Sequence, residues 1–320
     1  MNIKKIGMTA LAASLVSVSA HAGEMTISGA ASVAVGGYSG EQLNGGTTFS
    51  MGNQFTVSGS GELDNGLNIA LSFQLDQAAS ADTSSPFDDH SLTISSDEIG
   101  TIKFSGHGGS TATSAMDATA AGDIWDGFDG ARGGVTAMTI GMSGGTNNNI
   151  FYTAPTLMDG VALTASYNPQ GSGAESEVGY GIAYTGVEGL TLKYATSDEN
   201  TGVTATSGDQ TAWHVSYAIG PVTATATSAD YDMDAATNDK ETTSYNIAYT
   251  VSDEISISYG TESIDDGNTA TDAEYSAIVA TYTAGGMTLT GKLEEAENTN
   301  GTTNSSADFE YWTVSAAFAF

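Results

Sequence analysis

The chain has 320 residues with 40 glycines, no cysteine, 14% charged residues and a formal net charge of −31. So acidic a balance argues against nucleic acid and anionic membrane surfaces as partners, because both are bound through clustered Lys and Arg. The missing cysteines exclude a disulfide framework, and the Gly-, Thr-, Ser- and Asn-rich composition points to short strands and turns, not to a helical enzyme.

Residues 1–22 differ from everything that follows. Lys4 and Lys5 precede a short apolar run, and Ala20-His21-Ala22 matches a small-residue cleavage site, so this segment is expected to be a signal peptide. A chain starting near Gly23 would keep only Lys103, Arg132, Lys193, Lys240 and Lys292 as bases. No later segment approaches about eighteen consecutive apolar residues, which excludes a transmembrane helix. The remaining architecture able to cross a bilayer is a closed β-barrel.

From Met25 onward the apolar residues recur at every second position. Met25, Ile27, Gly29, Ala31, Val33 and Val35 alternate with Thr26, Ser28, Ala30, Ser32 and Ala34. Phe49, Met51, Phe55, Val57 and Leu63 share the next parity, followed by Leu67, Ile69, Leu71, Phe73 and Leu75 across the hairpin signal Asp64-Asn65-Gly66. Because successive side chains of a strand point to opposite faces, each segment has one apolar face and one small, mostly polar face.

Later segments keep the rule: Val161, Leu163, Ala165, Tyr167; Val178, Tyr180, Ile182, Tyr184; Trp213, Val215, Tyr217, Ile219; Tyr245, Ile247, Tyr249, Val251; Met287, Leu289, Gly291, Leu293. The segments 148–154 and 275–282 carry apolar residues on both parities and leave their register open. The final stretch alternates Trp312, Val314, Ala316, Phe318 and Phe320 with Tyr311, Thr313, Ser315, Ala317 and Ala319. It spans roughly 26 Å along a strand, or about 20 Å of depth when tilted, comparable with the apolar band of an outer-membrane barrel.

Connection lengths alternate as regularly as the side chains. Short turns at 64–66, 97–100, 157–160, 186–189, 219–221, 251–254 and 284–286 interleave with long polar connections near 39–46, 77–89, 108–147, 169–175, 198–208, 232–240, 264–271 and 296–307. Seven short and eight long connections predict an all-β, sixteen-stranded antiparallel transmembrane β-barrel over 23–320, with short periplasmic turns and long external loops.

The signal peptide, the strand MTISGAASV, the hairpin DNGL, the segment EIGTIKFSGHGG (98–109) leading into a long acidic loop, and the aromatic strand ending in Phe320 together resemble the alphaproteobacterial general porins. The resemblance implies a homotrimer in the outer membrane of a Gram-negative bacterium, in contact with lipid and lipopolysaccharide, passing small solutes and cations by passive diffusion without catalysis. It implies that the third long loop, 108–147, folds into the lumen as the constriction, and that Phe320 is read by the outer-membrane assembly machinery. Within that loop Asp117, Asp123, Asp126 and Asp129 accompany a single base, Arg132.

The chain departs from the family where an arginine cluster would face the acidic loop. By parity the only lumen-facing bases are Lys103, Lys193 and Lys292, few against Asp117, Asp123, Asp126 and Asp129 of the loop, so cations should be preferred. No cofactor is required, although Asp123, Asp126 and Asp129 sit at a spacing able to wrap Ca²⁺. His90, His107 and His214 share no metal-ligand spacing, and no nucleophile elbow or phosphate-binding loop is present. A substrate-specific channel and a secreted structural or adhesive β protein are the alternatives.

Overall fold

The structure, a computed structural model, describes residues 25–39, 47–76, 88–116, 119–128, 147–169, 176–200, 207–235, 239–303 and 307–320. The expected signal peptide and the candidate residues Asp117, Asp129 and Arg132 lie outside this set. Among the described residues the chain forms β1 (Met25–Ser39), β2 (Thr47–Glu62), β3 (Asn68–Asp76), β4 (His90–Ser96), β5 (Gly100–His107), β6 (Asn149–Thr153), β7 (Val161–Asn168) and β8 (Glu177–Tyr184). These are followed by β9 (Leu190–Glu199), β10 (Gly208–Ile219), β11 (Val222–Met233), β12 (Lys240–Thr250), β13 (Ile255–Asp266), β14 (Ala273–Ala284), β15 (Met287–Glu297) and β16 (Phe309–Ala319). One 3₁₀ turn, Ile124–Phe128, interrupts the connection between β5 and β6.

Each strand pairs antiparallel with its sequence neighbours, and β1 pairs with β16, so the sheet closes into a barrel. Closure removes both edges and pairs the strand backbone groups that a bilayer could not solvate. The expected alternation of connections is observed: every even-to-odd link is short, from the two residues between β10 and β11 to the seven between β6 and β7. At Asp64-Asn65-Gly66 the Leu63 amide donates to the Leu67 carbonyl at 2.8 Å and Gly66 adopts φ 79°, a conformation that disfavours any side chain.

The seam of the barrel uses the last residue of the sequence. Gly29 N–H donates to the Phe320 carbonyl at 2.7 Å, and Phe320 N–H donates to the Gly29 carbonyl at 3.0 Å. The Phe320 ring lies over Gly29, where a Cβ would fall 2.4 Å from Cε2. Gly29 is therefore filled by the chain's own terminus.

The predicted parities define the two faces. Tyr245, Ile247 and Tyr249 of β12, Ile257 and Tyr259 of β13, and Trp312, Val314 and Phe318 of β16 are exposed on the outer wall. The outer face turns acidic toward the long-connection end, where Asp198, Asp209 and Asp232 oppose one another across β9–β11, and Glu274 faces Glu297 across β14–β15. A carboxylate-bearing margin above an apolar, tyrosine-rich band marks the limit of the surface suited to lipid.

The two ambiguous segments resolve through register. In β6, Ile150 and Tyr152 oppose Phe104 and Ile102 and point outward, leaving Phe151 inward beside Lys103. In β14, Ile278 opposes Tyr259 and Leu293 on the outer face, while Tyr275 and Val279 point inward. The apolar inner face of β14 has a tertiary cause, because Ile124 and Phe128 of the connection 108–148 pack over Tyr275, with Val279 against the same cluster.

Candidate functional site

Residues 111–116 and 119–128 run along the inner wall and are tied to one strand after another. The Ala112 amide donates to Ser166 Oγ of β7 at 2.9 Å, and Thr113 Oγ1 meets Ser197 Oγ of β9 and Gln210 Oε1 of β10, each at 3.0 Å. Further on, the Ala120 amide donates to Thr227 Oγ1 of β11 at 3.0 Å, and the Ala121 amide to Ser244 Oγ of β12 at 2.9 Å. The Trp125 amide donates to Glu262 Oε2 of β13 at 3.1 Å. All of these wall residues have inward parity, so their hydroxyls and carboxylates satisfy backbone N–H groups of an otherwise irregular segment.

Beyond Glu262 the anchoring becomes aromatic. Ile124 and Phe128, both buried, sit against Tyr275 of β14 and Phe309 of β16. The Phe128 ring lies 5.8 Å from Tyr275 and 6.3 Å from Tyr38 of β1, and Tyr38 stacks on Tyr311 with centroids 4.4 Å apart. The Tyr38 hydroxyl donates to the Gly127 carbonyl. The described part of the segment thus covers the inner face from β7 round to β1 and leaves the inner faces of β2–β6 uncovered by it.

Two strand glycines make room for this. A Cβ on Gly179 of β8 would fall 3.0 Å from Ala112 Cβ and closer still to Ser166 and Ser197, while one on Gly260 of β13 would fall 2.5 Å from Ala121 Cβ. Glycine inside a strand marks close approach of another backbone. The sequence contained that signal, but only the barrel shows what approaches.

The 3₁₀ turn sorts its side chains by environment. Ile124 and Phe128 face the wall, whereas Asp123 and Asp126 are exposed on the open side. Asp123 Oδ1 accepts from Thr119 Oγ1 at 2.6 Å and from Trp125 Nε1 at 3.4 Å. Of the three residues expected around Ca²⁺, Asp123 and Asp126 are described and Asp129 is not.

The predicted bases divide into two kinds. Lys103 faces inward between Thr93 and Phe151, and Lys193 faces inward between Ala183 and His214. Neither forms a salt bridge among the described residues. Lys292 is also inward, but its Nζ lies 3.3 Å from Glu294 Oε1, which offsets its charge locally. Parity reasoning overlooked Lys240 at the start of β12, whose Nζ lies 3.5 Å from Asp266 Oδ2 of its cross-strand partner. The uncovered wall of β2–β6 therefore presents Lys103 as its one Lys or Arg among the described residues.

Comparison with known proteins agrees with this architecture. A family model described as Gram-negative porin matches residues 7–301. No curated protein matches the sequence. Among solved structures, an anion-selective porin from Comamonas acidovorans is 14% identical, with a TM-score of 0.69, over 93% of this chain and 99% of its own. A multiply substituted Rh. blastica porin is 16% identical, with a TM-score of 0.64, over 93% of this chain and 100% of its own. At these identities the structural likeness shows the fold.

Proposed function

The chain belongs to the Gram-negative porin family, an outer-membrane channel for passive diffusion, and from that premise we propose that its pore prefers cations and that residues 108–147 form the constriction. The carrying observation is the sorting at the 3₁₀ turn: a segment anchored to the inner wall turns Ile124 and Phe128 into that wall and holds Asp123 and Asp126 in the open lumen. Carboxylates beside a low-dielectric wall raise the local cation concentration. Among the described residues the opposing field is weak, since Lys292 and Lys240 have carboxylate partners and Lys103 and Lys193 lie four strands apart, on β5 and β9.

The same reading takes residues 1–22 as an export signal, the short turns as periplasmic and the long loops as external. Assembly as a homotrimer and recognition of Phe320 by the assembly machinery follow the family pattern. The lipid-suited outer band and its acidic upper margin support contact with outer-membrane lipid and lipopolysaccharide. Solutes cross without a covalent step, so no cofactor enters the mechanism, and Ca²⁺ at Asp123, Asp126 and Asp129 is an added feature of the same loop.

Single-channel recording of purified protein in a planar bilayer under a KCl gradient tests the charge argument. The reversal potential is expected on the cation side, and conductance is expected in triplets. A unit charge about 7 Å from a permeating ion in water contributes about 0.6 kcal/mol, close to RT, so removing one carboxylate lowers cation enrichment about threefold. Because Cl⁻ regains the same factor that K⁺ loses, Asp126→Asn is expected to reduce the K⁺ to Cl⁻ permeability ratio by up to about sevenfold, and Asp123→Asn with Asp126→Asn to reduce it further. A wild-type reversal potential on the chloride side would remove the cation assignment and leave the channel standing.

A further inference from the structure

At the long-connection end of the barrel, the residues entering β4 and the end of β5 bring together three metal-ligating side chains from two separate stretches of the sequence. Asp88, Asp89 and His107 each offer one ligand atom, and these atoms lie within 4.8 Å of one another. We propose that Asp88, Asp89 and His107 form a binding site for a first-row divalent transition-metal ion, with Zn²⁺ as its probe. The site is separate from the lumen carboxylates of the constriction, and the reading of it does not depend on ion selectivity.

Backbone pairing holds the two aspartates in place. The Asp88 amide donates to the Gln74 carbonyl at 2.9 Å, and the Gln74 amide donates to the Asp89 carbonyl at 2.7 Å, which fixes both residues against β3. On the other side a register irregularity between His90 and Ser91 shifts the end of β5, so that His107, not Gly106, comes opposite His90. His107 Nδ1 then lies 3.4 Å from Asp89 Oδ1, too long for a strong hydrogen bond. Gly108, at φ 67°, leaves the space the carboxylate occupies: a Cβ there would fall 1.8 Å from Asp89 Oδ1.

An imidazole nitrogen with two carboxylate oxygens suits Zn²⁺ and its neighbours in the first transition row, whereas Ca²⁺ takes six to eight oxygens. Three protein ligands leave one tetrahedral position for water. Ligand distances of about 2.0–2.2 Å require the side chains to close slightly, and the half-exposed His107 and Asp89 have room to rotate. Because His107 leads directly into the segment lining the lumen, a bound ion ties the root of that segment to β4.

Calorimetric Zn²⁺ titration of the folded protein in detergent, with millimolar Ca²⁺ present to fill carboxylate-only sites, is the test. The expected result is one Zn²⁺ per chain, with affinity lowered at least about tenfold by His107→Ala and by Asp89→Asn, and unchanged by His214→Ala. Gly108→Ala, which keeps all three ligands but displaces the Asp89 carboxylate, is expected to weaken binding as well. Heat-modifiable mobility on gels confirms that each variant is a folded barrel. Zn²⁺ binding that survives His107→Ala, or no Zn²⁺ binding in the presence of Ca²⁺, overturns the proposal; either leaves the porin reading untouched.

Discussion

Replacing Phe128 with Ala is expected to raise single-channel conductance and let larger sugars through, while the barrel itself keeps its thermal stability. Phe128 is buried among Tyr275, Tyr38 and Tyr311, and truncating a buried Phe costs about 3–5 kcal/mol. That loss falls on the segment, which is held by a few hydrogen bonds worth about 1 kcal/mol each, and not on the continuous strand ladder. The second half of the segment, past Ala121, should therefore leave the wall. Gly260→Val tests the same docking from the opposite side, because its side chain would occupy the place of Ala121. Conductance traces and liposome swelling with sugars of increasing size report the aperture. Wild-type values in both variants would mean that the segment does not set it.

Ile247→Arg and Ala248→Arg are expected to give opposite outcomes one residue apart. Ile247 lies on the outer wall between Tyr245 and Tyr249, opposite Ala224 and Tyr259. An arginine at mid-depth on the lipid face costs about 2–4 kcal/mol, enough to impair insertion. Ala248 has the inward parity and opposes Thr223 and Ser258, so arginine there meets water. Denaturant titration after folding into vesicles should show destabilisation for Ile247→Arg alone, and Ala248→Arg should instead move the reversal potential toward chloride. Equal destabilisation by both would show that the faces of β12 are misassigned.

The sequence alone determined the strands, the faces of those that alternate cleanly and the side on which each connection is short. Those properties are local: a period of two and a Gly- or Asp-rich turn are written within about ten residues, as in Asp64-Asn65-Gly66 and in the alternation from Trp312 to Phe320. The lumen parity of Lys103, Lys193 and Lys292 was legible for the same reason. What only the tertiary structure decided depends on residues far apart in the chain. Tyr275 and Val279 break the alternation of β14 because Phe128 and its neighbours cover them, and no window around β14 contains that fact. Gly179 and Gly260 are ordinary strand glycines until Ala112 and Ala121 press against them.

The histidines show the limit most clearly. His90 and His107 have no ligand spacing along the sequence, yet the register of β4 with β5, altered by one irregular step, makes them cross-strand partners and carries His107 to Asp89. A single-residue change of register redirects side chains, and register in a closed barrel is fixed by all sixteen pairings together. Outside 148–154 and 275–282, the sequence therefore determined which residues face water and which face lipid, whereas closure of the barrel decided which of them meet.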